Sequence, residues 1–173
     1  MHTELEKRWL KLSEAKKLIE AKIASTSVET HFQPSGSWSM AQVIEHLLAS
    51  EGGTLGYMKK KSSGGWDALE EAGEEHHEKS EAINARLESD ERYKAPDVLP
   101  EPGNKTSMEE LMHTWSTMRE ELYSFLLNID SAHFNKLVFR QPAAGMLTVL
   151  HALEFMDAHL RHHLPQIDRI HQA

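Results

Sequence analysis

Ala152-Leu153-Glu154-Phe155-Met156-Asp157-Ala158-His159-Leu160-Arg161-His162-His163 is the stretch on which the fold turns. Ala152, Phe155, Met156, His159 and His163 recur at steps of three and four, and Ile167 and Ile170 continue the row. The spacing predicts a helix beginning near Leu147 or Thr148 with one stripe turned to an interior. On such a helix His159 and His163 stand about 6 Å apart along the axis and about 40° apart around it. Two readings are open: neutral core histidines bonded to neighbouring helices, or two ligands of a single cation. The second requires at least one more side chain from elsewhere in the chain. His162 projects about 100° away from His163 and reads as solvated. Pro165 lacks an N–H and crowds the carbonyl of Arg161, so a kink is expected just after His163.

Three further amphipathic segments precede this one. Leu5, Trp9, Leu12, Lys16, Ile19 and Ile23 make an apolar face over residues 3–25, with the stem of Lys16 lying along it. Ser39-Met40-Ala41-Gln42 has the form of a capping box and opens a second helix, whose core face is Val43, Ile44, Leu47, Leu48, Leu55 and Met58. Gly52 and Gly53 weaken it locally and leave room for close approach of a neighbour. Thr106-Ser107-Met108-Glu109 repeats the capping pattern, and Leu111, Trp115, Met118, Leu122, Phe125 and Ile129 follow in a four-three repeat. Residues 62–105 hold Ser62-Ser63-Gly64-Gly65, acidic residues from Glu70 to Glu75, and three prolines. They read as a long connection with one short surface helix between about Glu74 and Tyr93. Four amphipathic helices, one long crossover and no period-two pattern predict an all-α four-helix bundle, with the long connection between the second and third helices.

The 173 residues fit a single domain, 1–173, large enough to bury a core without staples. The chain contains no cysteine, which excludes thiolate ligands and any thiol nucleophile of its own and fits a cytoplasmic location. Any sulfur chemistry must use a thiol from solution. With a net charge of −8 and no basic stripe among 19 Lys and Arg, nucleic acid is not an expected partner. The first residues lack a basic region followed by an apolar run, and no segment approaches membrane-spanning length. Of the 12 histidines, His2, His31, His76, His77, His133 and His171 read as solvated or terminal.

His46 lies beside the core face of the second helix and is the candidate third ligand if helices two and four are neighbours. Its competing reading is a capped or surface histidine next to Glu45. His151 lies about 12 Å from His159 along the same helix, too far to share an ion with both His159 and His163.

Trp38-Ser39 leading into Val43-Ile44-Glu45-His46-Leu47, and Gly145-Met146-Leu147-Thr148 leading into His159-Leu160-Arg161-His162-His163-Leu164-Pro165-Gln166-Ile167, resemble the DinB-like superfamily of four-helix metal proteins. The resemblance covers essentially the whole chain in element order. It implies a three-histidine site of His46, His159 and His163, a divalent ion such as zinc or nickel, and a homodimer. Pro165 departs from a small residue common in that family, and Gln141-Pro142 from a frequent His-Pro pair; neither removes a proposed ligand.

Three neutral imidazoles leave a divalent ion its full charge and an open position, a site suited to Lewis-acid work. The resemblance implies a metal-dependent hydrolase, or a transferase using a low-molecular-weight thiol, acting on a small-molecule substrate that the sequence does not name. The alternative is a non-catalytic metal- or ligand-binding stress-response bundle. A carboxylate-bridged di-iron bundle, suggested by Glu110-Leu111-Met112-His113 and Glu74-Glu75-His76-His77, is disfavoured because Glu110 and His113 flank a core leucine and point outward. Asp157 and Glu154 are possible orienters of the ligand imidazoles, although a solvated face is the commoner fate of such residues. No catalytic acid or base is assigned. Trp9 and Trp115 read as core; Trp66 reads as a loop anchor, a pocket cover or a dimer contact.

Overall fold

The structure is a computed structural model that describes residues 1–34, 38–89 and 99–172. Ser35 to Ser37 of the expected first loop, and Tyr93 and Pro96 of the connection, lie outside the described residues. Five helices carry the fold: α1 (Thr3–Ala24), α2 (Met40–Ser62), α3 (Glu74–Glu88), α4 (Met108–Leu127) and α5 (Val149–His171). α1 packs along α5, and α2 packs on both α4 and α5, which gives the expected all-α bundle. The proximity of α2 to α5 is the condition on which His46 depended.

Capping sets where these helices begin. Ser39 Oγ accepts the Gln42 N–H while Gln42 Oε1 accepts the Ser39 N–H, so the predicted box at the start of α2 is formed. At α4 the cap is Ser107, which accepts the Glu110 N–H, one residue later than the Thr106 pattern suggested. Thr148 opens α5 by the same device, with His151 as the reciprocal partner.

The core is continuous from Leu5, Leu12 and Ile19 of α1 through Ile44 and Leu47 of α2 and Trp115 and Leu122 of α4 to Leu153, Leu160 and Ile167 of α5. Lys16 keeps its stem on the interior face, its ammonium 5.3 Å from the centre of the Trp115 ring. One charged pair is buried between α2 and α4: Arg119 donates from Nε and Nη2 to the two carboxylate oxygens of Glu51, at 2.8 and 2.7 Å. The Trp115 indole N–H donates to the same carboxylate at 3.0 Å.

Several details depart from the sequence expectations. Strands β1 (Phe139–Gln141) and β2 (Gly145–Leu147) form a small antiparallel hairpin before α5. Its three-residue loop ends on Gly145 at φ 82°, a left-handed position that favours glycine. Gln141 Oε1 closes the loop by accepting the N–H groups of Ala143 and Ala144. α5 itself runs to His171 with Pro165 inside it on the exposed side, so the expected stripe through Ile167 and Ile170 stays on one helix. No close approach explains Gly52 and Gly53: a Cβ on Gly52 meets Met118 Sδ at an ordinary 3.5 Å, and one on Gly53 meets nothing. Trp66 is a loop anchor, stacked on His133 at 5.4 Å between ring centres.

The expected short helix of the connection is α3, 15 residues from Glu74, and it packs along α5. The segment before it is also tied down, since Ala72 donates to Asn135 and Leu137 donates to Glu70 across an antiparallel bridge.

Candidate metal centre

His46 projects from α2, and His159 and His163 from successive turns of α5, into one buried space. His46 Nε2 lies 3.1 Å from His159 Nε2, which lies 3.2 Å from His163 Nε2. The three donor atoms all stand within 4.8 Å of one another. The three residues are 3, 9 and 8 % exposed. Trp38 tilts against His46 at 5.0 Å, and Phe155 stacks on His159 at 5.6 Å.

The electrostatics keep all three rings neutral. Burial, with His162 adding to it, pulls His46 down to about 4. Burial and the charge of His46 pull His163 down to about 3, against a bond from Gln166 that favours the proton. His159 is lowered well below the usual histidine range by burial and by its two neighbours.

Neutral rings have one lone pair and one N–H each, and the partners decide which nitrogen carries which. Gln166 Oε1 lies 2.9 Å from His163 Nδ1 and can only accept, so His163 holds its proton on Nδ1 and leaves Nε2 bare. A single proton on His159 Nε2 is then all that can serve both short nitrogen–nitrogen contacts. A cation between the rings would serve all three lone pairs at once. Two nitrogens at about 2.0–2.1 Å from one tetrahedral ion stand about 3.3–3.4 Å apart, close to the spacing found here. The donor set therefore fits a divalent ion. It is the one cluster of three or more such side chains among the described residues.

A sequence profile of the DinB superfamily matches residues 5–167. The chain belongs to the DinB superfamily. No curated protein and no solved structure matches it significantly. The buried three-histidine group thus sits in a DinB-like bundle, on the helices that the sequence motifs indicated.

Other candidate residues are placed elsewhere. Glu154 is bonded to Arg8 of α1 at 2.7 Å, and Asp157 to Arg161 at 3.1 Å, so neither orients a ligand imidazole. Glu45 accepts the Asn104 N–H. Glu110, His113 and Glu74 are exposed and do not converge, which removes the geometric basis of a di-iron centre on these motifs. The residue that does orient a ligand, Gln166, was not singled out in the sequence. Its signal was its position, three residues after His163 on the same helix. Several histidines read as solvated or terminal have partners, among them His162 at the Leu87 carbonyl, His171 at Thr26 and the still exposed His77. His31 is buried with Nε2 at 3.2 Å from the Ile23 carbonyl, and His77 meets His151.

Proposed function

We propose that His46, His159 and His163 hold one divalent ion, zinc or nickel, and that this DinB-superfamily chain is a metal-dependent enzyme. Its reaction class is hydrolysis or transfer to a low-molecular-weight thiol. One observation carries the reading: three buried neutral imidazoles converge through nitrogen lone pairs, with no carboxylate among the described residues in the group to offset the charge of an ion. Imidazole donors suit zinc and nickel and do not suit magnesium or calcium. When bound, such an ion supplies Lewis acidity to an oxygen or sulfur donor of the substrate.

The chain's own residues do the remaining work. Gln166 fixes the His163 ring with its bare nitrogen inward, and the stacked Phe155 restrains His159. Trp38 and Phe155 give the site apolar flanks that limit water. A thiol acceptor must come from outside, because the chain has no cysteine. The partner is a small molecule, and neither nucleic acid nor a membrane is proposed; no described helix is long and apolar enough to cross one. We place the chain in the cytoplasm as a homodimer.

A second reading is a non-catalytic metal-binding bundle, favoured by how little of the three rings is exposed. Metal analysis of the purified protein beside His46→Ala and His163→Ala tests the site itself. About one equivalent in the parent and loss in both variants is the expected result; full metal content in both variants overturns it. Turnover that tracks metal content then separates the enzyme from the passive bundle.

A further inference from the structure

Away from the metal centre, a cleft of about 350 Å³ opens between α3 and the start of α5. At its edge His77 Nδ1 and His151 Nε2 are 3.0 Å apart, with the rings edge to face. The proton between them has a determinate owner. His151 Nδ1 accepts the Thr148 N–H in the capping box of α5, so the neutral His151 ring carries its hydrogen on Nε2 and donates it to His77. His77 must then present a bare Nδ1. A proton added to His77 Nδ1 sets two N–H groups against each other. A proton added to His151 Nδ1 meets the Thr148 N–H and breaks the cap.

The same assignment argues against a second metal site. His151 can offer Nε2 to an ion only by moving its hydrogen to Nδ1, where the Thr148 N–H already points.

α3 packs along α5 but buries little apolar surface, Ser80 being its one fully buried residue. Its inward residues are Ser80, Ile83, Asn84 and Leu87, and Asn84 Oδ1 is buried without a partner. At its far end the Leu87 carbonyl accepts from His162 Nδ1 at 2.8 Å. A helix with no fully buried apolar residue and an orphan oxygen belongs to the low-stability end of a fold.

We propose that the His77–His151 hydrogen bond is an acid-released latch that pins α3 against α5, closed when both rings are neutral and opened by protonation of the pair. The charged and titratable groups facing it are Arg8 from α1, Glu154 from α5, and His76 and Glu81 from α3, while residues 134 and 135 present Phe134 and Asn135. Arg8 and His76 oppose a proton on His151. Glu154 favours one only weakly, because Arg8 already engages it. Burial, with His77 and Arg8 adding to it, lowers His151 to about 4, so the closed latch excludes protons that the open one accepts. Opening frees the wall of the cleft and loosens the helix whose far end touches His162, the neighbour of a proposed ligand.

Hydrogen exchange of the zinc-loaded protein at pH 7.5 and 5.5, corrected for intrinsic rates, tests the latch. One histidine of ordinary pKa near 6.5 in the open state predicts that α3 protection falls about tenfold between these values while α4 is unchanged. His77→Asn combined with His151→Gln removes both titrating rings and keeps an acceptor for the Thr148 N–H, so the α3 protection of this double variant should be the same at both pH values. His77→Ala should lose α3 protection at both. Equal α3 protection in the parent at the two pH values overturns the proposal. So does a pH-dependent loss in the double variant as large as in the parent, which would move the effect to His76 or His162.

Discussion

Gln166 accepts the Nδ1 proton of His163 across 2.9 Å, and through that one contact decides which nitrogen of the ring faces His46 and His159. Outer partners of this kind are typically worth 10–100-fold in metal affinity. Gln166→Leu is expected to weaken zinc binding by about that factor while leaving the helix content unchanged. Gln166→Glu, which still accepts the proton, should bind at least as tightly as the parent. Competition with a chromophoric chelator measures both; equal affinity in Gln166→Leu and the parent removes the orienting role.

The metal-free protein should lose stability in mild acid. His46, His159, His163 and His151 all have folded values below the ordinary 6.5, so the unfolded chain binds more protons than the native one below that pH. Stability from this source is complete above about pH 6.5 and is lost progressively as pH falls towards 4. For a ring lowered to about 4, as His46 is, the loss between pH 7 and 5 is on the order of 2 kcal/mol. Calorimetry on chelator-treated protein should show Tm falling across that interval; a constant Tm contradicts the neutral-ring assignment.

The Glu51–Arg119 pair should behave asymmetrically. Removing one partner, as in Arg119→Met, leaves a buried carboxylate bonded to the Trp115 N–H but without its counter-ion, at a cost of about 3–5 kcal/mol. Removing both, with Glu51→Leu and Arg119→Met together, should cost less, what remains being the Trp115 N–H left without its acceptor. Urea denaturation of the two single variants and the double variant reads the coupling. If the double variant is as unstable as the sum of the singles, the pair is not the unit described here.

Pro165 and Gly53 are places where the chain gives up helix stability without an evident packing return. Both are exposed, and a Cβ at Gly53 meets nothing within 4 Å. Gly53→Ala should stabilise by about 0.5–1 kcal/mol, and Pro165→Ala by about 1–3 kcal/mol, without altering metal content. Thermal melts and metal analysis on the same samples test both statements. Loss of metal in Pro165→Ala would mean that the proline shapes the site.

The legible parts of this sequence were those where one physical effect dominated. α4 was readable because Leu111, Trp115 and Leu122 recur cleanly on a buried face. His46 was a candidate because it adjoins a core stripe and a cap, and the His159–His163 pair because helical geometry forces the rings together. α3 was underestimated because Ile83 and Leu87 are nearly its whole apolar face, the rest of its hold being hydrogen bonds to α5. β1 and β2 were missed because three residues each cannot display an alternation. Arg119 and Glu51 are charged residues that read as solvent-facing until the two helices that join them are in place. The acidic neighbours of the triad were weighed as orienters, whereas the neutral Gln166 fills that place.

His46 and His159 touch although 113 positions separate them along the chain. An ion gripped by both would fasten the second helix to the last and so restrict the unfolded chain as a covalent staple does, in a protein that has no cysteine to make one. At a free concentration a thousandfold above its dissociation constant it would add about 4 kcal/mol to the native state. The site would then be a fastening whatever its chemistry, and starvation for the ion would be felt first as lost protein.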